Sequence, residues 1–215
     1  MNDLHYTLLS DGSSDQALMP VLTWLLHQHL PNCPVQPRWA DLRRLPDCPR
    51  RLHDRIRTTA DLYNPCNLLF VHRDAETIPL DQRCAEIHDA IGRAWPDGST
   101  LPAIAVVPVR MMEAWLLFSE TAIREAAGNP NGTVALNMPR PADLEDIPRP
   151  KDVLHDLVLA ATNLPPRRRK RFDVNKAVRR IPEYIDDFSP LRNLTAFSTL
   201  EDCLVQAIID RRWHE

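Results

Sequence analysis

The stretch Leu68-Leu69-Phe70-Val71-His72-Arg73-Asp74-Ala75-Glu76 constrains the fold more than any other part of the chain. Four consecutive apolar residues leave no polar face. That is the pattern of a strand covered on both sides, as in a parallel sheet. The run then stops abruptly at ligand-type side chains. Ligands in open α/β sheets bind outside the carboxyl ends of such strands. His72, Asp74 and Glu76 would therefore be delivered to the place where such folds do chemistry.

The first 125 residues continue in the same sense. Residues 4–10 read as a strand, Asp11-Gly12-Ser13-Ser14-Asp15 as a tight turn with helix-capping residues, and 15–30 as a Leu-rich helix. A short strand at 35–39, a basic helix at 49–63, the strand at 67–71, a helix at 80–94 and a strand at 102–107 follow. Residues 110–119 read as an apolar helix. This alternation predicts an α/β fold, a mostly parallel sheet flanked by helices, over residues 1–127. Residues 128–150, with Asn-Pro-Asn-Gly and several prolines, read as a loop or linker, and 151–215 as a helical C-terminal extension. Helices are expected there at 150–163, 172–186 and 199–212.

A chain of 215 residues is long enough for a substantial core. Its five cysteines are widely and irregularly spaced, with no close pair of the kind that binds zinc. The odd count, and an N-terminus without a basic region followed by an apolar core, predict reduced thiols in a cytoplasmic protein. No apolar run approaches a membrane span of about 18 residues, so no membrane partner is expected.

Carboxylates recur at element ends. Asp11 follows the first strand, with Asp15 one turn on; Asp74 and Glu76 follow the strand at 67–71; Glu113 interrupts the apolar run Met111–Phe118. A charged residue in such a segment is rarely buried unless paired, and clustered carboxylates repel unless a metal or proton compensates. A shared site holding a hard divalent cation accounts for the joint placement. Taken singly, Asp11 and Asp15 also suit turn and cap positions, Asp74 suits a helix cap, and Glu113 suits an ion pair with Arg110. His72 is open between two roles: metal ligand or general base, and structural imidazole. Its nitrogen suits zinc, manganese or iron better than magnesium.

The net charge of −3 hides two basic runs. Residues 165–180 carry eight basic side chains, including Arg167, Arg168, Arg169, Lys170, Arg171 and Lys176, against one acidic. The stretch 38–57 adds seven arginines. Arginine forks suit phosphate oxygens, so an acidic site flanked by basic arms suits nucleic acid. A solvated face or an acidic partner is the other reading of such runs. Nucleotide binding through a glycine-rich loop is disfavoured, since the first turn holds a single glycine.

Strand–Asp11-Gly12-x-x-Asp15–helix resembles the first motif of Toprim domains, which occur in topoisomerases, primases and overcoming-lysogenization-defect nucleases. That motif begins with glutamate and glycine at a strand end. The family's second motif, Asp-x-Asp after a buried strand, is similar to Leu-Leu-Phe-Val-His-Arg-Asp-Ala-Glu. Glu113-Ala114-Trp115-Leu116-Leu117 further resembles small Toprim-like proteins of bacterial defence loci, some encoded beside an ATPase. The resemblance covers roughly residues 4–120. It implies a Mg²⁺- or Mn²⁺-dependent nuclease, acting on DNA in bacterial defence with a partner ATPase. Asp11 would take the role of the family glutamate, with Asp74 and Glu113 completing the catalytic set. Asp11, Asp15, His72, Asp74 and Glu76 would face the metal. Asp11 is one methylene shorter than glutamate. The second motif has two registers, His72 with Asp74 or Asp74 with Glu76. These departures keep open a decayed module that binds nucleic acid or a partner protein without cleaving.

Overall fold

The computed structural model describes residues 3–98 and 101–213. Its centre is a four-stranded, wholly parallel sheet. The strands are β1 (Leu4–Leu9), β2 (Val35–Ala40), β3 (Leu68–His72) and β4 (Ala103–Val106), in the order β2-β1-β3-β4. Parallel neighbours need long crossovers, supplied by α1 (Leu18–His29), α2 (Leu52–Leu62) and α3 (Leu80–Ala94). The chain leaves β1 for β2 on one side, then passes back across β1 to start β3. The sheet is thus doubly wound and Rossmann-like, and its order reverses between β1 and β3.

The pleat sorts each strand's residues onto two cores. Tyr6, Leu8, Phe70 and Val106 face α1, while Leu9, Leu69 and Val71 face Ile56 of α2 and Ile87 of α3. All five residues of β3 are buried, as the apolar run predicts.

The C-terminal part comprises α4 (Glu120–Ala126), α5 (Pro150–Ala161), α6 (Pro166–Arg169), α7 (Val174–Arg180) and α8 (Thr195–Asp210), with short 3-10 helices between them. Leu154, Val158, Phe188, Phe197 and Leu204 belong to the same core cluster as Tyr6 and Phe70. The core does not divide at residue 127 or 150; these helices form one wall of it. Trp115 meets Phe197 edge-on at 5.4 Å, and Trp24 meets Phe188 at 5.9 Å. Each such pair contributes about 0.5–1.5 kcal/mol beyond burial.

Two expected helices are broken. The segment 110–119 contains a positive φ of 64° at Arg110, an extended Met111 and a 3-10 helix over Met112–Leu116. A new helix then starts at Glu120, where Ser119 accepts the Ala122 N–H. The apolar run there reports burial rather than helical period. The segment 172–186 splits at Ile181–Tyr184, where Pro182 cannot continue the ladder of α7. No helix among the described residues is long and apolar enough to cross a membrane.

Candidate functional site

A crevice of about 330 Å³ opens at the carboxyl ends of β1 and β3, where the strand order reverses. Doubly wound sheets bind ligands at this point. Asp11, Asp15, His72, Asp74 and Glu76 line it, together with Arg73 and Arg83.

His72 is the last residue of β3 and is 3% exposed. Its Nδ1 lies 2.9 Å from the Val106 carbonyl oxygen. A carbonyl only accepts, so Nδ1 carries the hydrogen and Nε2 holds the lone pair. Burial pushes the imidazole below its ordinary range and outweighs the nearby charge of Asp15. The ring is therefore neutral at pH 7, with basic Nε2 3.6 Å from Asp74 Oδ1.

Asp74 is pushed up to about 7, first by burial and then by the charges of Glu113 and Asp15; the Met112 N–H partly offsets this. That N–H donates to Asp74 Oδ1 at 2.8 Å and starts the 3-10 helix bearing Glu113. Glu113 is 5% exposed. Burial raises its carboxyl above the usual range, against the lowering effects of its own backbone N–H and of Lys151 and His155. The ion pair with Arg110 that the spacing allows is absent among the described residues; Arg110 Nη1 donates to the Glu76 carbonyl at 3.3 Å.

The other carboxylates are committed elsewhere. Asp11 takes Arg55 Nη1 on Oδ1 and lies 3.4 Å from Arg73 Nε through Oδ2. Burial pushes the Asp11 carboxyl up, but the Arg55 hydrogen bond and the charges of Arg55 and Arg73 win, leaving it below the ordinary range. Asp15 accepts the Gly12 N–H at 2.8 Å and the Ser14 hydroxyl at 2.9 Å; the first is one half of a capping box, since Gly12 has no side chain to return the bond. Glu76 is exposed on a turn with φ 53°. His72 Nε2 lies 3.6 Å from Asp74, and the Glu76 charge also acts on Asp74, so the residues of both motif registers line one crevice.

Among the described residues no group of three or more His, Cys, Asp or Glu side chains is arranged to hold a metal ion. His72 Nε2 and Asp74 Oδ1 are the donor pair in the crevice to set against a cation's needs. Magnesium commonly takes one or two carboxylates and completes its shell with water and substrate phosphate. Two atoms about 2.1 Å from one ion lie roughly 3.0–3.6 Å apart at bond angles of about 90–120°. The 3.6 Å between His72 Nε2 and Asp74 Oδ1 matches the 120° end of that range and is wider than the roughly 3.0 Å of an octahedral shell, so a magnesium or manganese ion would need the two side chains to close on it. Burial raises Asp74 first, and the charges of Glu113 and Asp15 add to it; that added repulsion at Asp74 is what a cation would relieve.

Sequence reasoning missed the arginines of the crevice. Arg83, on α3, is 5% exposed; its Nη1 donates to Glu86 Oε2 at 2.5 Å. Arg73 Nη1 reaches the other oxygen of Glu86. Arg83 and Glu86 lie one turn apart on α3, a spacing visible in the sequence, but only the fold brings Arg73 to them.

The two basic runs differ. Arg167, Arg168, Arg169, Lys170, Arg171 and Lys176 are all exposed and make no ion pair among the described residues. In the 38–57 run, Arg43 and Arg44 pair with Asp41, Arg51 with Asp54 and Arg55 with Asp11. Arg57 donates to the Ala94 carbonyl. The second run is spent mainly on holding the fold.

No family model matches the chain, and searches of curated proteins and of solved structures find no significant match.

Proposed function

We propose that the chain is a Mg²⁺- or Mn²⁺-dependent phosphodiesterase acting on nucleic acid. The observation that carries this reading is the 3.6 Å pairing of a neutral imidazole nitrogen with a carboxyl raised to about 7, at the switch point of a doubly wound sheet. In this reading His72 and Asp74 hold the cation. A bound divalent ion would polarise a phosphate oxygen and acidify a water. Glu113 does not line the crevice; its charge acts on Asp74, and in this reading it would tune the proton affinity of that carboxyl. Arg73 and the exposed basic run at 167–171 offer the forks that grip a phosphate backbone. A partner ATPase and a role in bacterial defence belong to this proposal through the motif resemblance alone.

The test is incubation with plasmid, single-stranded DNA and RNA, with Mg²⁺ or Mn²⁺, beside Asp74→Ala. Metal-dependent cleavage by the parent and none by the variant is expected. The second reading, a binding module without catalysis, draws on the capture of Asp11 by Arg55 and Arg73. Metal-independent binding with no cleavage by either protein would replace the first reading with the second.

A further inference from the structure

Arg83 is a buried guanidinium with too few partners. A guanidinium has five N–H donors, yet among the described residues the only acceptor paired with this one is Glu86, through Nη1. Nε is buried without a partner. Leaving buried charged donors unpaired is costly, and a native site that does so asks for an explanation. The side chain is 6% exposed and lines the same crevice as His72 and Asp74. Beside it, Arg73 shares Glu86, whose two oxygens each take one guanidinium. Arg73 also lies 3.4 Å from Asp11 Oδ2, so the two arginines stand against two carboxylates, and what they have to spare is hydrogen-bond donors rather than net charge.

We infer that Arg83 and Arg73 form an oxyanion subsite for a phosphate group, with Glu86 holding both guanidinium groups in place until the ligand enters. The inference rests on the phosphodiesterase reading and names how that crevice would take its substrate. Phosphate supplies several strong acceptors at once, which matches a fork with unused donors. A halide or a neutral sugar would not satisfy it. The phosphate belongs to a nucleic-acid strand or to a free nucleotide, and the two sources share this chemistry.

Binding of inorganic phosphate, a nucleoside monophosphate and a short single-stranded oligonucleotide is measured calorimetrically without metal, for the parent, Arg83→Met, Arg83→Lys and Glu86→Gln. Arg83→Met should weaken the ligand that binds by at least tenfold, and Arg83→Lys by less. Glu86→Gln, at a side chain 41% exposed, should tighten binding several-fold by removing the competing carboxylate. In urea melts without ligand, Arg83→Met should be as stable as the parent or more so, since a buried under-paired charge is gone. A purely structural Arg83 would give the reverse: a destabilised variant with unchanged anion affinity. Weaker binding in Glu86→Gln, or no binding of any of the three phosphates by the parent, would also overturn the subsite. Oligonucleotide binding that ignores Arg83 would remove the subsite and leave the nuclease reading standing. Arg83-dependent binding of phosphate or mononucleotide without oligonucleotide binding would do the opposite.

Discussion

Replacing Asp74 by asparagine should raise stability, and the gain should grow with pH. The carboxyl rises from 3.8 in the unfolded chain to about 7 in the folded protein. Below pH 3.8 it is protonated in both states and contributes no slope. Between 3.8 and about 7 the folded protein keeps a proton that the unfolded chain has released, so stability falls as pH rises. Above 7 the loss is complete. At about 1.4 kcal/mol per pH unit the ceiling is roughly 4 kcal/mol. The side chain is 23% exposed, and water screening brings the expectation to about 1–3 kcal/mol. Asparagine keeps an oxygen for the Met112 N–H and carries no charge. His72 acts in the other direction: its lowered pKa makes stability fall as pH drops through its unfolded value. Comparing the variant with the parent cancels most of that contribution. Urea melts at pH 5, 6, 7 and 8 in EDTA should show the Asp74→Asn advantage widening by about 2 kcal/mol across the range. A constant difference would refute the raised pKa, and with it the burial and the neighbouring carboxylates that cause it. Added Mn²⁺ at about 100 times its dissociation constant should then stabilise the parent by about 2.7 kcal/mol at pH 8 and leave the variant unchanged.

Replacing Arg167, Arg168 and Arg169 together by alanine should weaken oligonucleotide binding and lower the slope of log K against log salt by about 0.7–0.9 for each phosphate no longer neutralised. An unchanged slope would show these exposed arginines to be a solvated face only. Arg55→Ala should cost about 1 kcal/mol in a melt, because it strips the donors from both Asp11 and the Ser10 carbonyl. A loss within error would mean that water replaces both bonds. Phe197→Ala should cost about 3–5 kcal/mol and lower one shared transition followed by far-UV circular dichroism and by Trp115 fluorescence, since Phe197 lies in the sheet's own core cluster. Separate transitions for the two signals would show that the C-terminal helices fold as an independent unit.

The sheet was legible because burial on both faces leaves an unbroken apolar word. Leu68–Val71 reads as a parallel strand whatever surrounds it, and the alternating crossovers follow from that. The helix over 80–94 was equally plain, since its period is local. Asp74 and His72 were legible as strand-end residues, because a strand delivers whatever follows it to a known edge.

Other features needed the third dimension. The break at Arg110–Met112 depends on Asp74 capturing a backbone N–H 38 residues away, which no local period encodes. Asp11 lines the crevice as the sequence led one to expect, but its pairing with Arg55, 44 residues on, could not be read there. Which carboxylates are free and which are already paired is a property of neighbours, and neighbours come from topology. By itself the sequence determined a parallel α/β sheet with a histidine and carboxylates at one end. The tertiary structure decided that His72 and Asp74 meet at the strand reversal, that Asp11 and Asp15 have other partners, and that Arg83 lies buried with donors to spare. The physical reason is range: strand and helix patterns are written in near neighbours, whereas charge pairing and desolvation are set by residues far apart in the chain.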